Sequence, residues 1–413
     1  MPTVFMRSVA VVTFLVLYNF MWAYLWYLTD ASPNPEVRVA LPSYNELFNS
    51  YIQHTRRLAD VDWHAGLVTQ GYEHLNSREA GFSWLLQRNW AYFPLQPLLA
   101  RPLVWCGLSP IIALLVTSFL GVVCLTSACV GIVDRSKVFS DEAMRVVLLM
   151  VFFVIPPLGL MTNFVVLAAG LFVIAYLLLR RILSQGREAS LVCLVSTAVI
   201  LIACGLSRVQ GIIFDISIVA AFTLVSVFAR PTRATPTAIA ICLGSVAIPI
   251  VVIAALFQYA ANDPLAFQKI QAAWGRTLSA PWKPIMEAFS SGSVVNFGNG
   301  TEFPFSMLRL GLFFSFAVFS LGWSVIGLRR KSTDAALVVF DACVVLIGVA
   351  LIIAPLMTST LMSTHRYMTC AAFLVAVALN LGWRPSWLMI NLFLLIRMGE
   401  VVLFSRGYLF LIW

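Results

Sequence analysis

Residues 237–259 read TAIAICLGSVAIPIVVIAALFQY, a stretch with no charged side chain. An α-helix rises about 1.5 Å per residue and a bilayer core is about 30 Å thick, so about 20 such residues cross a membrane. Pro249 interrupts the run, an irregularity that spanning helices tolerate when neighbours re-satisfy the freed backbone. Working outward, the sequence repeats this texture. Apolar runs lie at 9–28, 110–132, 144–160, 162–179, 189–205, 211–229, 308–327, 336–355, 367–383 and 386–405, which gives 10 or 11 spans in all. The first follows Arg7; it is long and no small-residue cleavage site follows it, so it reads as a retained span rather than a signal peptide.

Composition agrees. Hydrophobic residues make up 61% of the 413 and charged residues 11%, with a mean hydropathy of +0.91. Soluble domains are about 45–50% apolar and about a quarter charged, so this chain has too little charge to coat a water-soluble particle. The sequence predicts an all-α polytopic membrane protein forming one integral-membrane unit over 1–413. The net charge of +9 is the kind that sets topology in a membrane protein, and no nucleic-acid-binding motif accompanies it. Eight cysteines (Cys106, Cys124, Cys129, Cys193, Cys204, Cys242, Cys343, Cys370) lie in or beside apolar runs, none in metal-ligand spacing. They read as small packing residues, with neither a disulfide framework nor a zinc site expected.

Short basic loops fix the expected orientation. Arg7, Arg135/Lys137/Arg145, Arg180/Arg181/Arg187, Arg230/Arg233, Arg329/Arg330/Lys331 and Arg384 fall on one face of the bundle, which is then cytoplasmic. The first outer loop (29–94), the second (260–306) and the short segment 356–366 share the opposite face.

The outer loops hold the polar chemistry. Apolar residues at Leu47, Phe48, Tyr51, Ile52, Leu58 and Ala59 recur at helical spacing and predict an amphipathic helix lying in the interface. Asp60 and His64 follow, four apart and therefore on one helix face; Asp62 points away from Asp60. His54, His64 and His74 are spaced ten apart, a pattern matching no metal site. Trp90, Tyr92 and Phe93 suit an interfacial aromatic belt. In the second loop Asp263-Pro264 predicts a helix start, Asp at the N-cap and Pro at the first helical position. Lys269 and Arg276 follow, cations that snorkelling at the membrane surface would explain. His365-Arg366-Tyr367 stands at the outer mouth of a span, and Arg208 in 205–211 (GLSRVQG) lies between two spans. Carboxylates and cations facing one compartment suit a reaction in which an acid takes a hydroxyl proton and cations receive a departing phosphate.

Several of these segments resemble, in order along the chain, the GPI mannosyltransferase II (PIG-V-like) family and its bacterial relatives. Residues 60–72 (DVDWHAGLVTQGY) are similar to that family's WDxxWYxxIAxxGY segment, with Asp60, Trp63, Gly71 and Tyr72 in register. Residues 90–99 (WAYFPLQPLL) resemble its AFFPLYPLL. Residues 263–282 are similar to a stretch of the bacterial members, His365-Arg366-Tyr367 to a late RY motif, and 207–211 to an SRxNG-like turn. Ala59, His64 and Thr69-Gln70 depart from the pattern.

The resemblance implies a GT-C-type fold and an inverting, membrane-embedded glycosyltransferase. It would move a sugar, mannose by analogy, from a polyprenyl-phosphate donor to an acceptor hydroxyl on a glycolipid, glycan or protein. Asp60 is the implied catalytic base, and Asp62 and His64 would bind or orient the acceptor. Arg208, Arg276, His365 and Arg366 would hold the donor phosphate. Trp63, Tyr72, Tyr92, Trp274 and Tyr367 would line the substrate cavity. No cofactor is required; a divalent metal is not implied, because the leaving group is a lipid monophosphate. The expected location is a bacterial plasma membrane with the site facing the periplasm or exterior, the endoplasmic reticulum membrane being the alternative. Two rival readings accompany this one. Asp215, Asp341 and Pro249 inside apolar runs would suit a transporter or lipid flippase, although Asp341 also lies near the basic 329–331 loop and would pair there. The departures around Asp60 would suit an inactive scaffold of the same fold.

Overall fold

The computed structural model describes residues 60–79, 81–133, 140–150, 164–229, 235–274, 279–283, 334–353, 373–392 and 394–395, with isolated positions 286, 322 and 357. Among the described residues the architecture is helical, without strands: α1 Asp60–Thr69, α2 Leu95–Trp105, α3 Pro110–Val133, α4 Asp141–Leu149, α5 Phe164–Gln185, α6 Leu191–Ser207, α7 Val209–Leu224, α8 Pro236–Ala261, α9 Ala266–Ile270, α10 Ala335–Ile353 and α11 Phe373–Asn380. Among the described residues, four stretches are long and apolar enough to cross a membrane: Pro110–Ile132, Val165–Gln185, Val209–Phe228 and Pro236–Ala261. Leu191–Ser207 and Ala335–Leu351 are shorter apolar helices. Each coincides with a run expected from hydropathy. The expected spans at 9–28 and 308–327 and the amphipathic helix at 47–59 lie outside the described residues, apart from position 322.

Helix ends follow local chemistry. Ser140, Ser190 and Thr235 cap α4, α6 and α8, their hydroxyls accepting from the amides of Ala143, Cys193 and Ala238 at 3.1, 3.3 and 3.1 Å. Pro236 occupies the first turn of α8, where its missing N–H would have had no partner anyway. α8 ends at Asn262, in the left-handed region with φ 54°. The next helix does not start where the sequence predicted. Asp263 Oδ1 accepts from the Leu265 amide at 2.9 Å, so Asp263-Pro264-Leu265 forms a turn. Helix α9 begins only at Ala266, with Leu265 at its N-cap. Asp at that position folds back on the backbone two residues ahead.

The main core joins α3, α4, α5, α6, α7, α10 and α11, with Ala238 and Cys242 of α8. α3 and α5 cross closely because Gly121 faces Leu167 backbone, and a Cβ on Gly170 would come within 2.8 Å of the Gly121 carbonyl oxygen. Small residues permit this approach in apolar surroundings, where packing rather than water drives helix association. Phe172, Phe214 and Phe373 interleave at the centre, the first pair stacked at 4.3 Å.

Polar groups sort to the two ends of the bundle. At one end Asp341 of α10, nearly inaccessible, accepts from Tyr176 Oη at 2.8 Å and Arg180 Nε at 3.1 Å. Asn380 Nδ2 donates to Tyr176 Oη at 3.1 Å. Asp341 thus forms an ion pair with α5; the 329–331 loop, the partner expected from sequence, lies outside the described residues. At the same end Arg384 meets Glu142 at 3.0 Å and Arg145 donates to the Pro385 carbonyl at 2.9 Å. These are the basic ends grouped from sequence as cytoplasmic. Residues 71–95 and the turn after α8 gather at the other end.

Candidate functional site

Helix α1 carries the first candidate residues. It ends where Gly71 enters the left-handed region at φ 83°, its amide donating to the Leu67 carbonyl at 3.2 Å and the Gln70 amide to Gly66 at 2.7 Å. Glycine meets this requirement without a Cβ penalty. Arg101 Nε of α2 donates to the Val68 carbonyl at 3.1 Å, putting a cation at the negative end of the helix. One face of α1 (Val61, His64, Leu67, Val68) is buried, whereas Asp62 is exposed and Trp63 half-buried. Asp62 and His64 thus look to different sides of the helix. Asp60 forms its first residue; its side chain lies outside the described atoms.

Tyr92 connects α1 to the rest of the assembly at this end of the bundle. The His64 ring meets it edge-on at 4.8 Å and Trp63 stacks on it at 6.4 Å. Tyr72 Oη donates to the Tyr92 carbonyl at 2.6 Å, and its own ring meets Phe257 of α8 edge-on. Burial pushes the Tyr72 phenol well above its ordinary value, because the phenolate would lose its hydration.

Asn89 staples the segment below. Its side chain accepts from the Glu73 amide at 3.2 Å and donates to the Gly71 carbonyl at 3.0 Å. Trp90, wholly buried, donates its indole N–H to the Glu73 carbonyl at 2.9 Å. Arg88 pairs with Glu73 at 3.2 Å and lies over the Phe82 and Trp90 rings.

Around Trp90 a second core forms from Phe93, Ile253, Phe257, Ala260, Ala261, Ala266 and Ile270, with Leu206, Val209 and Ile212 packed against it. Arg208 sits between those last residues as the single extended residue joining α6 and α7, with φ −166° and ψ 165°. It is buried, and its Nε donates to Gln210 Oε1 at 3.0 Å. Gly211 faces the Cys204 carbonyl so closely that no side chain fits, which gives the glycine of 207–211 a steric reason. Lys269 pairs with Asp263 and lies 5.4 Å over Trp84, a more specific arrangement than the snorkelling expected. Partial burial raises the Asp263 carboxyl, but hydrogen bonds from Lys269 and the Leu265 amide outweigh this and hold it below the ordinary carboxylate range.

Four candidates of the first loop, Trp63, His64, Tyr72 and Tyr92, therefore join one aromatic assembly, and Arg208 lies beside its core. Trp274 ends a short helical turn at Gln271–Trp274, its side chain undescribed. Arg276, His365, Arg366 and Tyr367 lie outside the described residues. Sequence reasoning missed Asn89, Glu73, Arg88 and Gln96. Gln96 is buried, donating to the Leu114 carbonyl and the Thr117 and Ser118 hydroxyls at 2.9–3.2 Å. A polar residue inside an otherwise apolar 90–99 segment was the available signal.

No family model matches the chain, and no curated protein matches it. Among solved structures it is similar to the crystal structure of the Archaeoglobus fulgidus oligosaccharyltransferase complexed with zinc and sulfate. The TM-score is 0.41 and the identity 13%, over 88% of this chain and 47% of that one; the chain thus spans about half that protein's length.

Proposed function

We propose that this chain is a membrane-embedded inverting glycosyltransferase of the GT-C kind, transferring mannose from a polyprenyl-phosphate donor to an acceptor hydroxyl at the outer face. The observation that supports the reading best is the assembly around Trp90 and Tyr92. Segments 60–72, 90–99, 206–212 and 257–270, distant in sequence, pack together at one end of the helical bundle. They include most of the stretches that resemble the PIG-V-like family.

In this mechanism Asp60 takes the proton of the acceptor hydroxyl, whose oxygen attacks the anomeric carbon. The bond from that carbon to the phosphate oxygen breaks, inverting the centre, and the polyprenyl phosphate leaves with the electron pair. Arg208, Arg276, His365 and Arg366 neutralise the phosphate as charge develops. Asp62 and His64 serve the acceptor. Val68 of α1 packs with Ala100 of α2 and Ala113 and Leu114 of α3, while Trp63 and His64 pack on Tyr92; such seating of the helix is what a positioned base requires.

The test uses full-length protein in nanodiscs with a radiolabelled polyprenyl-phosphate mannose and a membrane extract as acceptor source, following lipid-phosphate release. Asp60→Asn should lower turnover by about 10²–10⁴ with an unchanged melting profile, and Arg208→Gln should weaken donor binding. Full turnover by Asp60→Asn would remove Asp60 from the mechanism.

A transporter reading has one observation in its favour. Asp215 of α7 is fully buried, and Gly205 of α6 makes room for both its carboxylate and the Pro249 ring of α8. An ionisable residue inside a span marks a pathway in many transporters. Donor-independent solute flux into proteoliposomes, lost in Asp215→Asn, would favour it.

A further inference from the structure

We infer that residues 75–79 and 81–86 form an anchor seated in the outer leaflet, with Leu85 and Leu86 entering the acyl region and Phe82, Trp84 and Tyr259 lying at headgroup depth. Leu85 and Leu86 are 72% and 58% exposed, and Tyr259 at the outer end of α8 is 77% exposed. Two adjacent leucines so exposed to water would each forfeit most of the roughly 1.5–3 kcal/mol that full burial of such a side chain gains.

The segment is not a free loop. The Leu75 and Ser77 amides donate to the Ala260 and Ala261 carbonyls at 3.0 and 3.1 Å, and His74 meets Tyr259 edge-on at 4.8 Å. It is thus pinned to the end of α8, whose Val251 and Val252 are exposed along an apolar wall. The wall of a spanning helix faces acyl chains, and the exposed leucines belong to the segment pinned at that helix's end.

The neighbouring charges suit the same medium. Arg88 is matched by Glu73, and Lys269 by Asp263, while both cations rest on aromatic faces. The rings beneath them include Trp84 and Trp90, and Trp is enriched at membrane interfaces. Backbone amides in a non-helical segment need partners, so the main chain stays at headgroup level and only the leucine side chains go deeper. The occupant is therefore phospholipid, and the inference holds whether or not the chain transfers sugars.

The test replaces Leu85, and separately Leu86, with a genetically encoded coumarin amino acid in the full chain, reconstituted in phosphatidylcholine vesicles. The exposed Glu188 at the opposite bundle end is the reference position. Shallow doxyl-labelled lipid should quench positions 85 and 86 at least threefold more than position 188, and aqueous iodide at least threefold less. Iodide quenching equal to that at position 188 would overturn the inference. So would iodide protection without doxyl quenching, or protection that rises with protein-to-lipid ratio, because these place protein rather than lipid on the leucines. Leu85→Asp combined with Leu86→Asp is the second measurement: it should leave the detergent melting profile unchanged while exposing Trp84 to iodide in vesicles, and unchanged Trp84 quenching would count against the anchor.

Discussion

Tyr72 shows how one side chain ties the aromatic assembly together. Its hydroxyl is the donor to the Tyr92 carbonyl and its ring packs on Phe257. Tyr72→Phe should cost about 0.5–1.5 kcal/mol, read as a shift in thermal unfolding in detergent. The pH dependence has a definite sign. The folded phenol ionises well above its ordinary value, so its contribution is complete below the unfolded value near pH 10 and is lost as pH rises beyond it. Wild-type protein should therefore lose stability above about pH 10 more steeply than Tyr72→Phe. The sequence marked Tyr72 through its place beside Gly71, but the partner was illegible, because a hydrogen bond across twenty residues leaves no periodic trace.

Among the elements, the α3–α5 crossing depends on glycine. Gly121 faces Leu167 backbone rather than a side chain that could turn aside. Gly121→Val should therefore destabilise by about 1–3 kcal/mol, measured by thermal unfolding, whereas the same change at Gly131, which has nothing within 4 Å of its would-be Cβ, should be much milder. Hydropathy located these helices to within a few residues, because burial in lipid imposes an apolar run whatever the neighbours are. The Asp263-Pro264 capping signal misjudged the start of α9. Asp263 had two local hydrogen-bonding uses, capping and turn formation, and its ion pair with Lys269 accompanies the second.

At the scale of the whole molecule, the Tyr176–Arg180–Asp341–Asn380 network links α5, α10 and α11 at the end opposite the aromatic assembly. Asp341→Leu strips Arg180 of its carboxylate partner and should cost about 3–5 kcal/mol, read by denaturation in detergent. Arg180→Leu combined with Asp341→Leu should recover much of that loss, since it removes both charges. The sorting of ends also predicts topology. Cys106, exposed between α2 and α3, belongs to the end bearing residues 71–95, expected from the basic loops to face outward. An impermeant maleimide should label it from outside intact cells; labelling only after permeabilisation would reverse the orientation drawn from the basic loops.

The sequence by itself determined that the chain is a helical membrane protein, roughly where its helices run, and which segments bear polar chemistry, because lipid selects apolar length directly and basic loops mark one side. Tertiary structure decided the partners: Asp341 with Arg180, Tyr72 with Tyr92, Asn89 across to Gly71 and Glu73, and Gly211 beneath the Cys204 carbonyl. Such pairings depend on where folded helices meet, and side-chain chemistry fixes what a residue can bind but not which distant residue arrives beside it.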